Sequence, residues 1–198
     1  IFGDRSGGSP GMKIQTFCEP GFEFKVLADV CAVGHYFPLP ETPHISIVPG
    51  EVHEWKAVLP SLRRIGEPFR LGLKAEDLWG NPTDRACETL FLESSHPVQG
   101  LPETVSYPLG KKSLVLEGLV VEKPGVVRIL VKSEEEKIHA EAGPLLIEEE
   151  GVSGYWGDLH GQSGETIGLT TSRQYFDFAR NKSFLDVTSH QANDFQVN

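Results

Sequence analysis

The sequence has few cysteines and no long hydrophobic run. Its three cysteines, Cys18, Cys31 and Cys87, are an odd number without C-x-x-C spacing, which disfavours a disulfide scaffold and a cysteine zinc site. Cys18 and Cys31 stand among apolar residues, so we expect both thiols to be buried. No stretch approaches the roughly 18 uninterrupted apolar residues of a membrane-spanning helix. We therefore expect no membrane partner.

Basic side chains are also scarce. The 198 residues include 18 Lys and Arg against 28 Asp and Glu, which gives a formal net charge of −10. Sequence-independent binding to nucleic acid requires clustered basic side chains that neutralise phosphates, so we expect no nucleic-acid partner. The 39% of hydrophobic residues can supply a core, which argues against disorder of the whole chain.

A secretory signal is lacking at the beginning of the sequence. Residues 1–5 contain neither a basic opening nor an apolar stretch, which predicts a cytoplasmic protein. The first residue is Ile rather than Met, in a glycine-rich phrase that is typical of the interior of a longer protein. We therefore expect the native N-terminus to lie outside this sequence.

Proline and charge change near residue 150. Thirteen of the 14 prolines precede residue 125, and the last is Pro144. Residues 1–150 hold 23 acidic and 15 basic side chains, a net of −8, whereas residues 151–198 hold five acidic and three basic ones, a net of −2. Such a shift indicates a change of architecture.

The first 150 residues are predicted to be mainly β. Short alternating or β-branched runs lie between Pro-Gly and other turn signals, which is typical of antiparallel sheets with one buried face. They predict an immunoglobulin-like β-sandwich over residues 58–148. Residues 1–57 form a β-rich segment, either an incomplete sheet or strands added to a neighbour. The clearest runs are residues 22–27, 44–48, 69–75, 113–117 and 125–131.

Residues 149–198 follow a different pattern of strand, loop, helix and strand. Residues 154–160 form a short predicted strand, and Thr171 or Ser172 is a suitable N-cap for the helix that follows the glycine-rich loop. The apolar run 184–188 completes a βαβ unit. Its two strands should be parallel with a right-handed crossover.

Two histidines, His160 and His190, lie at the carboxyl ends of these two predicted strands, where catalytic loops of such units lie. Imidazole binds zinc, iron and manganese, and the carboxylates of Glu165 and Asp194 would add oxygen ligands. Gln162 is a weaker, neutral oxygen donor. The residues by themselves leave two interpretations open, a divalent metal site or solvated loop histidines.

The motifs around these histidines resemble a known family. Residues 155–160 (Tyr-Trp-Gly-Asp-Leu-His) with Ser163 resemble the first motif of the polymerase-and-histidinol-phosphatase (PHP) superfamily, and residues 185–190 (Leu-Asp-Val-Thr-Ser-His) resemble the second. Residues 157–168 are similar to a large bacterial family of PHP-like proteins in which a β-rich region precedes the catalytic barrel. Residues 74–82 resemble that β-rich region, so the resemblance spans most of the chain.

The resemblance implies a metal-dependent hydrolase, most often a phosphoesterase, on a distorted α/β barrel. His160 and His190 match metal ligands of the superfamily by position, with zinc, manganese or iron as the metal. Glu165 and Asp194 are then supplementary ligands or bases for a metal-bound water, and a small molecule or phosphate ester is the substrate. Gln162 also enters the expected ligand set, although it stands where the first motif has its second histidine.

The expected barrel is incomplete in this sequence. Such a barrel needs roughly 200 residues or more, and only about 45 follow Tyr155. We therefore expect the N-terminal portion of such an enzyme, inactive as this fragment, which pairs with the remainder of the protein or with another chain. Gln162, in place of the second His of the first motif, and Ser189, in place of the Asp of the second, favour the alternative of a β-sandwich binding or structural module with a vestigial, non-catalytic barrel.

Three further features receive simpler interpretations. Trp55 and Trp79 are expected to fill the sandwich core rather than to bind sugars. Asp77, Asn81 and Asp84 resemble a calcium loop that lacks its closing glutamate, and we expect them to be hairpin turn residues. Glu165 stands where the Gly-x-Ser-x-Gly pattern of a nucleophile elbow has its last glycine, so we expect Ser163 to hydrogen-bond within its loop.

Overall fold

The computed structural model describes residues 4–191 and is mainly β, which confirms the predicted fold class. Within these residues, no helix is long and apolar enough to cross a membrane. The elements in chain order are β1 (Glu19–Glu23), β2 (Leu27–Ala28), β3 (Phe37–Pro38), β4 (His44–Ile47), β5 (Glu54–Val58), β6 (Leu62–Arg64), β7 (Phe69–Glu76), β8 (Glu88–Ser94), β9 (Thr104–Tyr107), β10 (Leu114–Leu119), β11 (Gly125–Lys132), β12 (Ile138–Glu148), β13 (Gly157–Gly161), α1 (Ser172–Asn181) and β14 (Val187–His190).

Two sheets form the sandwich. One has the antiparallel order β10-β7-β5, and the other has the order β6-β12-β11-β8-β9, in which β6 runs parallel to β12 and the remaining pairs are antiparallel. In chain order, β5, β7 and β10 occupy the places of strands A, B and E of an immunoglobulin domain, and β8, β11 and β12 those of C, F and G. Because β5 begins at Glu54, the sandwich includes residues that precede the predicted start at residue 58.

A single apolar core lies between these sheets. Alternate side chains of β7 and β11, such as Leu73 and Ile129, point inward and are fully buried. Trp55 belongs to this core, as predicted, and its ring stacks on His139 and meets the ring of Tyr107 edge-on, with centroids 5.6 and 4.9 Å apart respectively. Burial raises the pKa of Tyr107 to about 12.

The predictions for Trp79 and Cys31 are wrong. Trp79 is 59% exposed, because it lies in the turn after β7, outside the space between the sheets. Cys31 is exposed because it lies in the turn between β2 and β3, whereas Cys18 is partly buried. Asp77 and Asn81 are turn residues as predicted, since Asp77 Oδ1 accepts a hydrogen bond from the amide of Asn81 at 3.0 Å.

The N-terminal segment carries two small antiparallel pairs. β1 pairs with β4, and β2 pairs with β3. Among the described residues, neither pair joins a sandwich sheet. The segment also leaves large apolar side chains such as Val30 and Tyr36 exposed.

The predicted βαβ unit is confirmed, with β13 and β14 paired in parallel and Gly161 opposite His190. Helix α1 begins after Thr171, which forms a capping box with Gln174: the Thr171 side chain accepts from the Gln174 amide, and the Gln174 side chain accepts from the Thr171 amide. Strand β14 begins at Val187 rather than at residue 184. The three residues before it contact the sandwich instead.

Candidate functional site

The βαβ unit is attached to the sandwich by an ionic cluster just before β14. The carboxylate of Asp186 lies 3.7 Å from a guanidinium nitrogen of Arg63 in β6 and 3.5 Å from one of Arg70 in β7. Arg70 also donates hydrogen bonds to the carbonyl oxygens of Phe184 and Leu185, at 3.1 and 2.7 Å. Arg63 is only 5% exposed, and a buried guanidinium requires such acceptors. We call Arg63, Arg70 and Asp186 the junction cluster.

An aromatic contact adjoins the junction cluster. The ring of Phe184 is buried on the outer face of the three-stranded sheet, over Gly72 in β7. A Cβ atom on Gly72 would lie 2.4 Å from a ring carbon, so this close approach requires glycine. Ionic and apolar contacts therefore fix the beginning of β14 against β7.

The segment before β13 lies along the edge strand β6. The amide of Gly154 donates to the carbonyl oxygen of Leu62 at 3.1 Å, and the Arg63 side chain donates to the carbonyl oxygen of Gly154. The Arg63 guanidinium lies 4.6 Å from the centre of the Tyr155 ring, a cation–π distance. Both ends of the βαβ unit thus contact the sandwich at Arg63.

The carboxylate of Glu67 is part of the same surface. Burial raises the pKa of Glu67, but hydrogen bonds from the Ser153 hydroxyl, the Arg64 amide and the Tyr155 hydroxyl, together with the charge of Arg63, outweigh the burial. The pKa of Glu67 is consequently held below its ordinary value. Glu67 is therefore stabilised in its charged form where the unit meets the sandwich.

At the opposite, carboxyl end of the two strands, Tyr175 from α1 fills the space beside β13. Its hydroxyl is hydrogen-bonded to the hydroxyl of Thr188 and donates to the carbonyl oxygen of Ser189 at 3.2 Å. A Cβ on Gly161 would lie 1.7 Å from the Tyr175 oxygen. Glycine is thus required where the tyrosine crosses the strand.

Ser163 organises the loop after β13. It is fully buried, its carbonyl oxygen accepts from the amides of Thr166 and Gly168 at 2.9 and 2.7 Å, and its Oγ accepts from the Glu165 amide at 3.2 Å. Ser163 Oγ also lies 2.8 Å from His190 Nε2, at hydrogen-bond distance. The predicted role of Ser163 in its loop is confirmed.

The two predicted histidine ligands occupy different environments. His190 is half-buried, and the contact of Nε2 with Ser163 leaves Nδ1 without a hydrogen-bond partner among residues 4–191. A polar contact to one imidazole nitrogen is the arrangement that orients a histidine whose other nitrogen binds a metal. His160 is exposed, and its backbone amide donates to Asp158 Oδ1 at 2.8 Å.

The other predicted site residues are not joined to these histidines by any described contact. Glu165 accepts a hydrogen bond from the Ser172 hydroxyl at 2.7 Å, at the beginning of α1. Gln162 is half-buried beside Ser163, and Asp194 lies outside the described residues. Residues 4–191 contain no group of three or more His, Cys, Asp or Glu side chains arranged to hold a metal ion. The described residues therefore do not form a complete metal centre.

Sequence reasoning missed the junction cluster and the tyrosine at the carboxyl end. Arg63 and Arg70 lie more than 110 residues from Asp186 along the chain, and local periodicity carries no information about such a contact. Gly161 was the available signal for Tyr175, because a glycine inside a strand often marks the close approach of another group.

Comparison with known proteins gives little further information. No protein-family model and no curated protein matches the chain. Among solved structures, the superoxide reductase (neelaredoxin) from Ignicoccus hospitalis is similar over 49% of this chain and 82% of its own, with 16% sequence identity and a TM-score of 0.34. That score is too low to support an inference about fold or activity.

Proposed function

We propose that this chain is the N-terminal portion of a metal-dependent hydrolase of the phosphoesterase type. The sandwich is its accessory domain, and residues 157–190 supply the first part of its active site. The observation that carries the proposal is the parallel register of β13 and β14, with Gly161 opposite His190. This register brings the loop after β13 and the His190 imidazole to the same edge, where Ser163 contacts His190.

The exposure of the two-stranded sheet supports the interpretation that the unit is one part of a larger domain. Parallel sheets in α/β proteins are normally covered on both faces. Here Leu159 in β13 is 66% exposed and Val187 in β14 is 53% exposed. Further strands, from the remainder of the protein or from another chain, would cover these side chains and pair with the free strand edges.

The proposed ligands are His190, through Nδ1, and His160. Glu165, Gln162 and Asp194 are the candidates for additional oxygen donors on the same loops. Since the described residues do not form a complete centre, donors beyond them are required. The hydrolytic steps on a phosphate ester depend on that completed site.

The activity is tested with protein at its native length, supplied with manganese and p-nitrophenyl phosphate. We expect hydrolysis in the wild type and its loss in the variants His160→Ala and His190→Ala. His44→Ala is the matched control, because His44 is also an exposed strand histidine but belongs to β4. Equal rates in all four proteins, or no hydrolysis in the wild type, would count against the phosphoesterase proposal.

A binding or structural module is the second candidate. It is favoured by the absence of a three-donor group among residues 4–191 and by a pocket at the other end of the sandwich. Under this alternative, the βαβ unit contributes no ligand and both histidine variants retain every property of the wild type.

A further inference from the structure

A separate pocket lies at the end of the sandwich remote from the junction cluster. It begins after Glu76, the last residue of β7, whereas Arg70 of the junction cluster lies six residues earlier, about 20 Å along the strand. Its volume of about 650 Å³ is in the range of small-molecule sites. Three segments form its walls, residues 12–16, 47–53 and 77–81.

Hydrogen bonds that involve two turn side chains, Asp77 and Asn81, connect these three walls. Asn81 donates to the carbonyl oxygen of Thr16 at 2.8 Å and accepts from the amide of Cys18 at 3.0 Å. Asp77 is 3% exposed and accepts from the amide of Gly50 at 2.9 Å. Because each wall is tied to the β7–β8 turn, the pocket is formed before any ligand arrives, which reduces the entropic cost of binding.

Trp79 supplies an exposed aromatic face in this pocket. Its amide donates to Asp77 Oδ1 at 2.8 Å, which fixes the backbone that carries the ring. The apolar side chains of Leu78 and Val52 line the same pocket and are also exposed. The face of an indole ring is electron-rich and attracts the weakly positive C–H groups of an apolar ring face.

The paired carboxylates around the pocket disfavour a cationic ligand. Burial raises the pKa of Asp77, but hydrogen bonds from Gly50, Asn81 and Trp79 outweigh it and lower the pKa, so the carboxylate acceptors are already in use. The carboxylate of Glu51 is paired with Arg85. Neither carboxylate is therefore available to a cation.

Polar groups suited to hydroxyls remain in the pocket. The hydroxyl of Thr16, the imidazole of His53 and the ammonium of Lys13 line it without a hydrogen-bond partner among residues 4–191. We propose that this pocket binds a neutral saccharide, with one sugar ring stacked on Trp79 and its hydroxyls bonded to these side chains. The site is independent of the proposed hydrolase activity, because it contains neither His160 nor His190.

The test is an array of neutral oligosaccharides (glucans, xylans, mannans and galactans), followed by calorimetry on the best binder. We expect Trp79→Ala to weaken binding by about tenfold or more and Trp79→Phe to weaken it less. Trp156→Ala is the matched control, because Trp156 is 57% exposed and lies outside this pocket. It should bind as the wild type does, as should His190→Ala.

Three results would overturn the proposal. The first is that no neutral oligosaccharide binds to the wild type. The second is that Trp79→Ala binds as tightly as Trp156→Ala does. The third is Trp79-dependent binding of tetramethylammonium or inorganic phosphate in preference to the sugars, which would assign the pocket to a charged ligand.

Discussion

The sandwich and the βαβ unit differ in how far their apolar side chains are buried. In the sandwich, Leu73 and Ile129 are fully buried between the two sheets. In the unit, Leu159 and Val187 face solvent, and the contact with the sandwich depends on Phe184 and the junction cluster. The difference indicates that the sandwich contains its own folding core, whereas the unit depends on neighbouring structure for its position.

The largest expected effect is a cavity in the sandwich. Leu73→Ala removes a fully buried side chain, and such substitutions cost about 2–5 kcal/mol of the free energy of unfolding. Urea denaturation measures the loss. Leu159→Ala, the same substitution at an exposed position, should change stability by no more than about 0.5 kcal/mol. Equal losses in the two variants would remove the contrast between the regions.

The second-largest effect is expected at the contact between the sandwich and the βαβ unit. Phe184→Ala removes the ring that packs over Gly72. It should weaken the packing of the βαβ unit on the sandwich by about 3 kcal/mol, without affecting the sandwich core. Hydrogen exchange should rise in residues 157–190 while β7 and β11 stay protected. Phe176→Ala, at an exposed position of α1, is the control. Uniform loss of protection across both regions would show that they unfold together.

A smaller effect is expected within the unit. Thr171→Ala removes the capping box at the beginning of α1 and should destabilise the helix by about 1 kcal/mol. The measurement is hydrogen exchange of the α1 amides. Thr171→Ser, which retains the capping hydroxyl, should keep the wild-type protection, and a Ser variant as unprotected as the Ala variant would contradict the capping role.

The smallest effect depends on pH. Because the pKa of Glu67 is lowered in the folded state, its contribution to stability is fully present above the ordinary value of 4.5 and is lost as the pH falls through the folded value. Acid should therefore loosen the segment around Tyr155 before it affects β11. The rate of proteolysis within residues 149–155 between pH 6 and pH 3 measures this loosening. Glu67→Gln should flatten the profile, whereas an unchanged profile would exclude Glu67 as the cause.

The sequence predicts the sandwich strands where alternation is regular. The runs 69–75 and 125–131 correspond to β7 and β11 to within one residue. Alternation does not reveal β12, because Gly143 and Pro144 interrupt its pattern. Both residue types are uncommon inside strands. The prediction for Trp79 was wrong because it followed the usual burial of tryptophan, although the run 69–75 ends before this residue.

The candidate site is less predictable than the fold. The sequence places His160 and His190 at strand ends, and the parallel register brings those two ends together. It does not reveal that Ser163 occupies Nε2 of His190, or that Glu165 is hydrogen-bonded to Ser172 instead. Such contacts depend on how a loop folds back on itself, which short motifs do not specify.

The metal content of the native-length protein tests the central claim most directly. Elemental analysis should find zinc, manganese or iron in the wild type and in the control His44→Ala. The double variant His160→Ala/His190→Ala should have lost most of that metal. Equal metal content in all three proteins, or none in the wild type, would contradict the account of the βαβ unit as the first part of a metal site.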